Sequence, residues 1–476
     1  MMKVDLRVIG ALCRASVLFG TALGVISATP LGAAASDTAA IASSDDPYGS
    51  VYRPAPAPMT AIVGATLLTA AGPRIDNGTV LIDRGRIIAV GRDIVVPAGA
   101  KIIDGHGKWV TPGIIDPHVH LGAQIGLGPE GNDANEITDP NTAGVWVEHS
   151  VWPQDPSFSR ALASGVTTMQ ILPGSANLFG GRSVVIHPVP AVDVSQMKFP
   201  GAPLGLKMAC GENPKRIYGA RNAAPSTVMG EAEGYRKAWI LAQAYDREWS
   251  AYETGRAQGA KLKPPLRDLN MDTLREVLHG RMKVNMHCYR ADEMALAIKI
   301  SHEFGYHIGS FHHAVEAYKI APLLAKESIC VATWSRRGGW VKFEAEDAIS
   351  ANAALLEKAG VCVTMHSDGA TAGQHLNLEA AVGMAAGNEA GLRITDEVAV
   401  RWITLNPARL LGIDGSTGSL EKGKAADVVI WNGNPFSIYT VADKVFVDGA
   451  PVFDRISGRR PSDMELGQPV DTGAPR

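Results

Sequence analysis

Two histidines one residue apart close the run Pro112, Gly113, Ile114, Ile115, Asp116, Pro117, His118, Val119, His120. In an extended strand successive side chains alternate faces, so His118 and His120 point the same way. Two neutral imidazoles side by side are a ready pair of ligands for a divalent cation. Further along, His287, His313 and Asp368 each lie near the end of a strand-like run. Parity puts Asp116 with the two histidines, Asn285 with His287, and Thr364 and His366 with Asp368. The opposite faces carry Ile115 and Val119, Val284 and Met286, Val361, Val363 and Met365. Polar faces suit the mouth of a barrel and apolar faces its helix layer.

Other candidates are open on the residues alone. In the run from Gly205 to Arg216, Lys207 shares a face with Ala209 and Gly211, which points it inward. A lysine inside a barrel is costly unless compensated. Glu212 is its rival, since Gly211 permits a bend that would turn it in. His312 and His313 are adjacent and should face opposite ways, so one ligand is expected from the two. His366, on the face of Asp368, is a candidate for supporting the ligands. Lys215 and Arg216, in the loop after a strand, are candidates for holding a substrate carboxylate or for capping the loop. The stretch from Asn177 to Arg182 is expected to close over the site or to form a glycine turn. His106, His149, His187, His279, His302, His307 and His375 are read as structural or surface groups.

These side chains need strands to hold them. Strands are expected over 113–118, 165–172, 183–187, 205–210, 283–287, 306–312, 329–333 and 361–366, with helices over 235–247, 271–279, 291–303, 317–326 and 345–359. Such alternation implies a parallel β/α barrel, whose chemistry sits at the C-terminal ends of its strands. Short β patterns recur before and after it. The expected order is a signal peptide over 1–35, a linker or strap over 36–58, a composite β domain from 59–110 plus 412–456, the barrel over 111–411 and a mobile tail over 457–476.

The chain has 476 residues, 46% of them apolar, and a net charge of −3, enough for a large core and without the basic stripe that nucleic acid requires. Lys3, Arg7 and Arg14, an apolar run to Ala28 and then Ala33, Ala34 and Ala35 fit a cleaved export signal, placing the protein in the periplasm or outside the cell with no membrane span after cleavage. Cys13 falls in that signal, and Cys210, Cys288, Cys330 and Cys362 are read as buried thiols.

The approach from Thr111 to His120, the exit Leu405, Asn406, Pro407, Ala408, Arg409, and the run from Gly418 to Ile430 complete a pattern. The sequence resembles the amidohydrolase superfamily, nearest its imidazolonepropionase-like branch, over almost all of the chain after the signal. The resemblance implies a (β/α)8 TIM-like barrel with a small β-sandwich-like domain made from both ends. It implies zinc or another divalent metal, one or two ions. His118 and His120 would bind the more buried metal. His287 and His313 would be the histidines of strands five and six; the spacing to Glu316 favours His313 over His312. Asp368 would bind metal and take the proton of the attacking water. Lys207 would be a carboxylated lysine bridging two metals, or Glu212 would take that place. The implied activity is exported, metal-dependent hydrolysis of a C–N bond in an amide, a cyclic amide or a dipeptide. A deaminase of the same superfamily and a metal-holding binding protein without turnover are the alternatives. The expected partner is a small molecule or dipeptide, and a homo-oligomer is left open.

Overall fold

The computed structural model describes residues 46–125, 131–336 and 342–456. The expected signal peptide, the first part of the linker and the expected tail lie outside the described residues. No helix among them is long and apolar enough to cross a membrane.

The first five strands are β1 (Thr60–Leu67), β2 (Ile75–Asp83), β3 (Arg86–Gly91), β4 (Lys101–Asp104) and β5 (Trp109–Pro112). Eight strands then build the barrel: β6 (Ile114–Val119), β7 (Val166–Ile171), β8 (Phe179–Ile186), β9 (Gly205–Ala209), β10 (Lys283–Cys288), β11 (Ile308–His313), β12 (Cys330–Thr333) and β13 (Val363–Met365). The chain returns through β14 (Val428–Trp431), β15 (Ala442–Val447) and β16 (Ala450–Asp454). Strands from both ends share one sheet, in the order β16-β15-β14-β5-β1-β2-β3 with β4 on β1. Gly113 carries the chain from that sheet into the barrel. A Cβ there would lie 2.0 Å from Thr167 Oγ1, so only glycine permits so close an approach.

The barrel strands run in sequence order from β6 to β13. Across the seam the Asp368 amide donates to the His118 carbonyl at 2.9 Å. The Ser367 amide donates to Asp116 Oδ1 at 3.2 Å. The expected all-parallel barrel is corrected at one strand. β8 is longer than the 183–187 predicted and runs antiparallel to both β7 and β9. Only 172–178 join β7 to β8, too short for a crossover helix, so the chain turns back as a hairpin. Phe179 to Arg182 therefore lie within β8 rather than in a closing loop or a glycine turn.

The helix expected over 235–247 extends over Val228–Ala257. Thr227 caps it, its hydroxyl accepting from the Gly230 amide at 3.1 Å. Tyr235, Ala238, Trp239, Ala242 and Tyr245 form its buried stripe at helical spacing. Trp239 stacks on Tyr306 at 4.2 Å. The described part of the linker is a strap: Lys198 Nζ donates to Asp46 Oδ2 and the Tyr48 carbonyl, each at 2.7 Å.

The four cysteines are not free thiols. Cys210 bonds Cys288 and Cys330 bonds Cys362, with Cα–Cα distances of 5.2 and 4.5 Å. The register explains the first pair: Ala209 lies opposite His287, so the next residues along β9 and β10 meet.

Candidate metal centre

His118 and His120 leave β6 on one face, as parity requires. His120 Nδ1 lies 2.8 Å from the Leu172 carbonyl oxygen. That acceptor holds the proton on Nδ1 and leaves the lone pair on Nε2, the tautomer a metal ligand needs. His120 Nε2 and His118 Nε2 each lie 3.4 Å from Asp368 Oδ1. Lys207 Nζ, fully buried, lies 3.2 Å from His118 Nε2. His118 Nδ1 meets His312 Nδ1 at 3.0 Å, and His312 Nε2 lies 2.8 Å from Ser310 Oγ.

The expectation that only one of His312 and His313 turns inward does not hold. His313 sits at the end of β11 with φ +70°, outside the extended region, so parity fails there. Its ring centre is 4.4 Å from that of His287 and 4.9 Å from those of His118 and His366. Asp368 also has positive φ, +65°. Two non-glycine residues in the left-handed region each cost on the order of 1 kcal/mol, and such strain clusters at functional sites.

His118, His120 and Asp368 bring ligand atoms within 4.8 Å of one another, and so do His118, His313 and His366. His366 thus belongs with the ligand candidates. Both ring nitrogens of His287 and Nδ1 of His313 are buried with no hydrogen-bond partner among the described residues. Buried polar atoms without partners are costly, and converging imidazole lone pairs beside a carboxylate fit a divalent cation. Burial holds His118, His287, His312 and His313 well below the ordinary imidazole range, hence neutral. Burial also pushes the Lys207 ammonium down to about 7, opposed by Asp368. For Asp368 burial alone would raise the pKa, but the His120 hydrogen bond and nearby positive charge hold it below the usual range. Burial drives Asp116 up to about 7 against its bonds from Ser367 and His118.

Glu212 does not reach this cluster. Its carboxylate accepts from the Glu344 amide at 3.0 Å, and Glu344 Oε2 accepts from the Glu212 amide at 2.8 Å. Gly211, at φ +86°, starts the helix Glu212–Gly219 there instead of bending Glu212 inward. Lys215 Nζ pairs with Glu293 at 3.6 Å, and Arg216 is exposed. Sequence reasoning missed Glu344, whose Oε1 lies 3.9 Å from His287 Nε2 and pairs with Lys342. It lies in a short 3-10 turn, Phe343–Ala345, which leaves no periodic signal. Trp334 and Tyr289 also went unread; their rings lie 4.7 and 5.0 Å from that of His313 and wall the site.

A model of the amidohydrolase family matches residues 109–452. Amidohydrolase tasK of Hapsidospora irregularis is 32% identical over 405 residues, which are 79% of this chain and 40% of that protein. The chain thus spans about two fifths of that relative's length. An imidazolonepropionase of Rhizobium meliloti (strain 1021) is 25% identical over 399 residues, 77% of this chain and 88% of that protein. The crystal structure of an amidohydrolase from Thermotoga maritima MSB8 superposes with a TM-score of 0.76 at 35% identity, covering 83% of this chain and all of that one.

Proposed function

Since the chain belongs to the amidohydrolase family, in its imidazolonepropionase-like branch, we propose that it hydrolyses a C–N bond of a small amide, cyclic amide or dipeptide, with Asp368 as general base. The observation that carries this reading is Asp368 Oδ1 standing 3.4 Å from the ring nitrogens of both His118 and His120. His118, His120, His287, His313 and Asp368 would hold a divalent cation, zinc by the chemistry of the donors, with His366 beside them. A cation there supplies Lewis acidity, acidifying water and polarising a carbonyl oxygen. Asp368 accepts the proton of the attacking water at a carboxylate oxygen and passes it to the leaving nitrogen. Lys207 would join the histidines and Asp368 as an anionic ligand if its neutral amine took up CO2 and released a proton to give a carbamate; its burial against His118 supports this. Export through a cleaved signal is part of the reading, supported by the two disulfides, which persist in oxidising compartments.

The test combines metal analysis with a panel of dipeptides, cyclic amides and aminated heterocycles. The Asp368→Asn variant is expected to keep bound metal while turnover falls by about 100- to 10,000-fold. Metal-loaded protein that turns over nothing on the panel would favour the binding-protein alternative. Ammonia release from the heterocycles alone would favour the deaminase. Hydrolysis unaffected by Asp368→Asn would remove the proposed base.

A further inference from the structure

A cavity of about 1080 Å³ is lined by Arg182 of β8 and by none of the metal-ligand candidates. The next residue along, Ser183, accepts from Gln170 Nε2 at 2.9 Å, whereas Arg182 turns toward the helix Leu269–Leu278. Its Nε donates to Thr273 Oγ1 at 2.8 Å, and its guanidinium lies over the Trp146 ring at 4.4 Å. Arg182 is 8% exposed; no carboxylate among the described residues stands within 4.0 Å of it, and Glu276, Asp272 and Asp46 act on it only from farther off. The other arginines of the lining are matched. Arg267 meets Asp272 at 2.7 Å, Arg275 meets Glu253 at 2.8 Å and Arg281 meets Glu276 at 2.6 Å. Lys198 likewise holds Asp46 and Glu148 at 2.7 and 2.9 Å. The walls add aromatic surface. Trp146 and His149 stack with ring centres 5.9 Å apart and planes 6° from parallel, and Tyr48 stands edge-on to both.

We propose that this cavity binds a small carboxylate with a planar or apolar body, the carboxylate meeting the Arg182 fork and the body lying along Trp146, His149 and Tyr48. A guanidinium offers paired donors in the geometry of a carboxylate, and its Nε bond to Thr273 fixes the plane of the fork. No metal-ligand candidate lines this cavity, and the site does not depend on the reaction proposed at the metal centre.

Benzoate is the probe, titrated calorimetrically into the full-length metal-loaded protein. Saturable binding is expected, weakened about tenfold or more in Arg182→Gln and less in Arg182→Lys. Asp368→Asn should bind as well as the parent, since it alters only the metal centre. Thr273→Val keeps the charge but frees the fork, and should weaken binding severalfold; it serves if Arg182→Gln does not fold. Benzylamine, the matched cation, should not bind. Failure to saturate at millimolar benzoate, or binding intact in both Arg182→Gln and Thr273→Val, would overturn the proposal. So would binding lost in Asp368→Asn, which would place the benzoate on the metal, or inorganic phosphate outcompeting benzoate.

Discussion

His287 carries two buried ring nitrogens with no hydrogen-bond partner among the described residues, and that has opposite consequences with and without metal. In apo protein those nitrogens are a desolvation cost. With a cation present they become ligands. His287→Ala is therefore expected to leave the apo protein as stable as the parent or slightly more so. The same change should weaken metal affinity beyond the roughly 10- to 100-fold that loss of an outer hydrogen-bond partner costs. Chelator competition gives the affinity and thermal unfolding of the metal-stripped protein gives the stability. A loss of apo stability with unchanged affinity would make His287 a packing residue. Asp368→Asn is the cleaner probe of the base, because asparagine tolerates the positive φ of +65° found there.

At the scale of strands, alternation made most of the centre legible. His118, His120 and His287 lie on the faces that two-residue periodicity gives them, their neighbours on the other face being apolar, whereas Asp368 lies three residues beyond β13 at φ +65°, where strand parity no longer applies. Parity failed at His313, where the strand ends in a left-handed residue, and periodicity cannot see such a break. The direction of β8 was hidden too, since direction is set by the length of the connection and not by the strand. The disulfides were invisible because Cys210 and Cys288 lie 78 residues apart and Cys330 and Cys362 lie 32 apart; only the barrel register brings them together. Those separations have a consequence. Closing the longer loop removes more freedom from the unfolded chain, so replacing Cys210 and Cys288 by serine should cost about 1 kcal/mol more than replacing the other pair. Denaturant titration of the two double variants under oxidising conditions measures the difference. Because Cys288 follows His287, the first variant alone should also lose metal affinity. Equal metal affinity in the two double variants would show that the crosslink does not position the ligand.

At the scale of the whole molecule, buried acids beside the barrel mouth set a slope on stability against pH. Glu231 is the strongest case. Its Oε2 accepts from the Gly211 amide at 3.2 Å, while Oε1 is buried with no partner among the described residues. Burial raises its pKa from 4.5 to about 8, with the Gly211 bond and Lys215 opposing and the charges of Glu293 and Glu344 adding to the rise. A carboxyl group with a raised folded-state pKa holds its proton in the folded chain after the unfolded chain has lost it. Its contribution to stability is therefore intact below the unfolded pKa and is lost as pH rises from about 4.5 towards about 8. Asp368 runs the other way: with its folded pKa depressed, its contribution is present above the unfolded value and is lost as the solution is acidified through the folded value. Glu231→Gln keeps the shape and the acceptor for Gly211 but cannot ionise. The variant should match the parent near pH 4 and exceed it near pH 8 by on the order of a few kcal/mol. Unfolding of metal-stripped protein across that range tests it. Parallel curves for parent and variant would mean that Glu231 ionises in the fold as easily as in water, and that the buried acids exert no such slope.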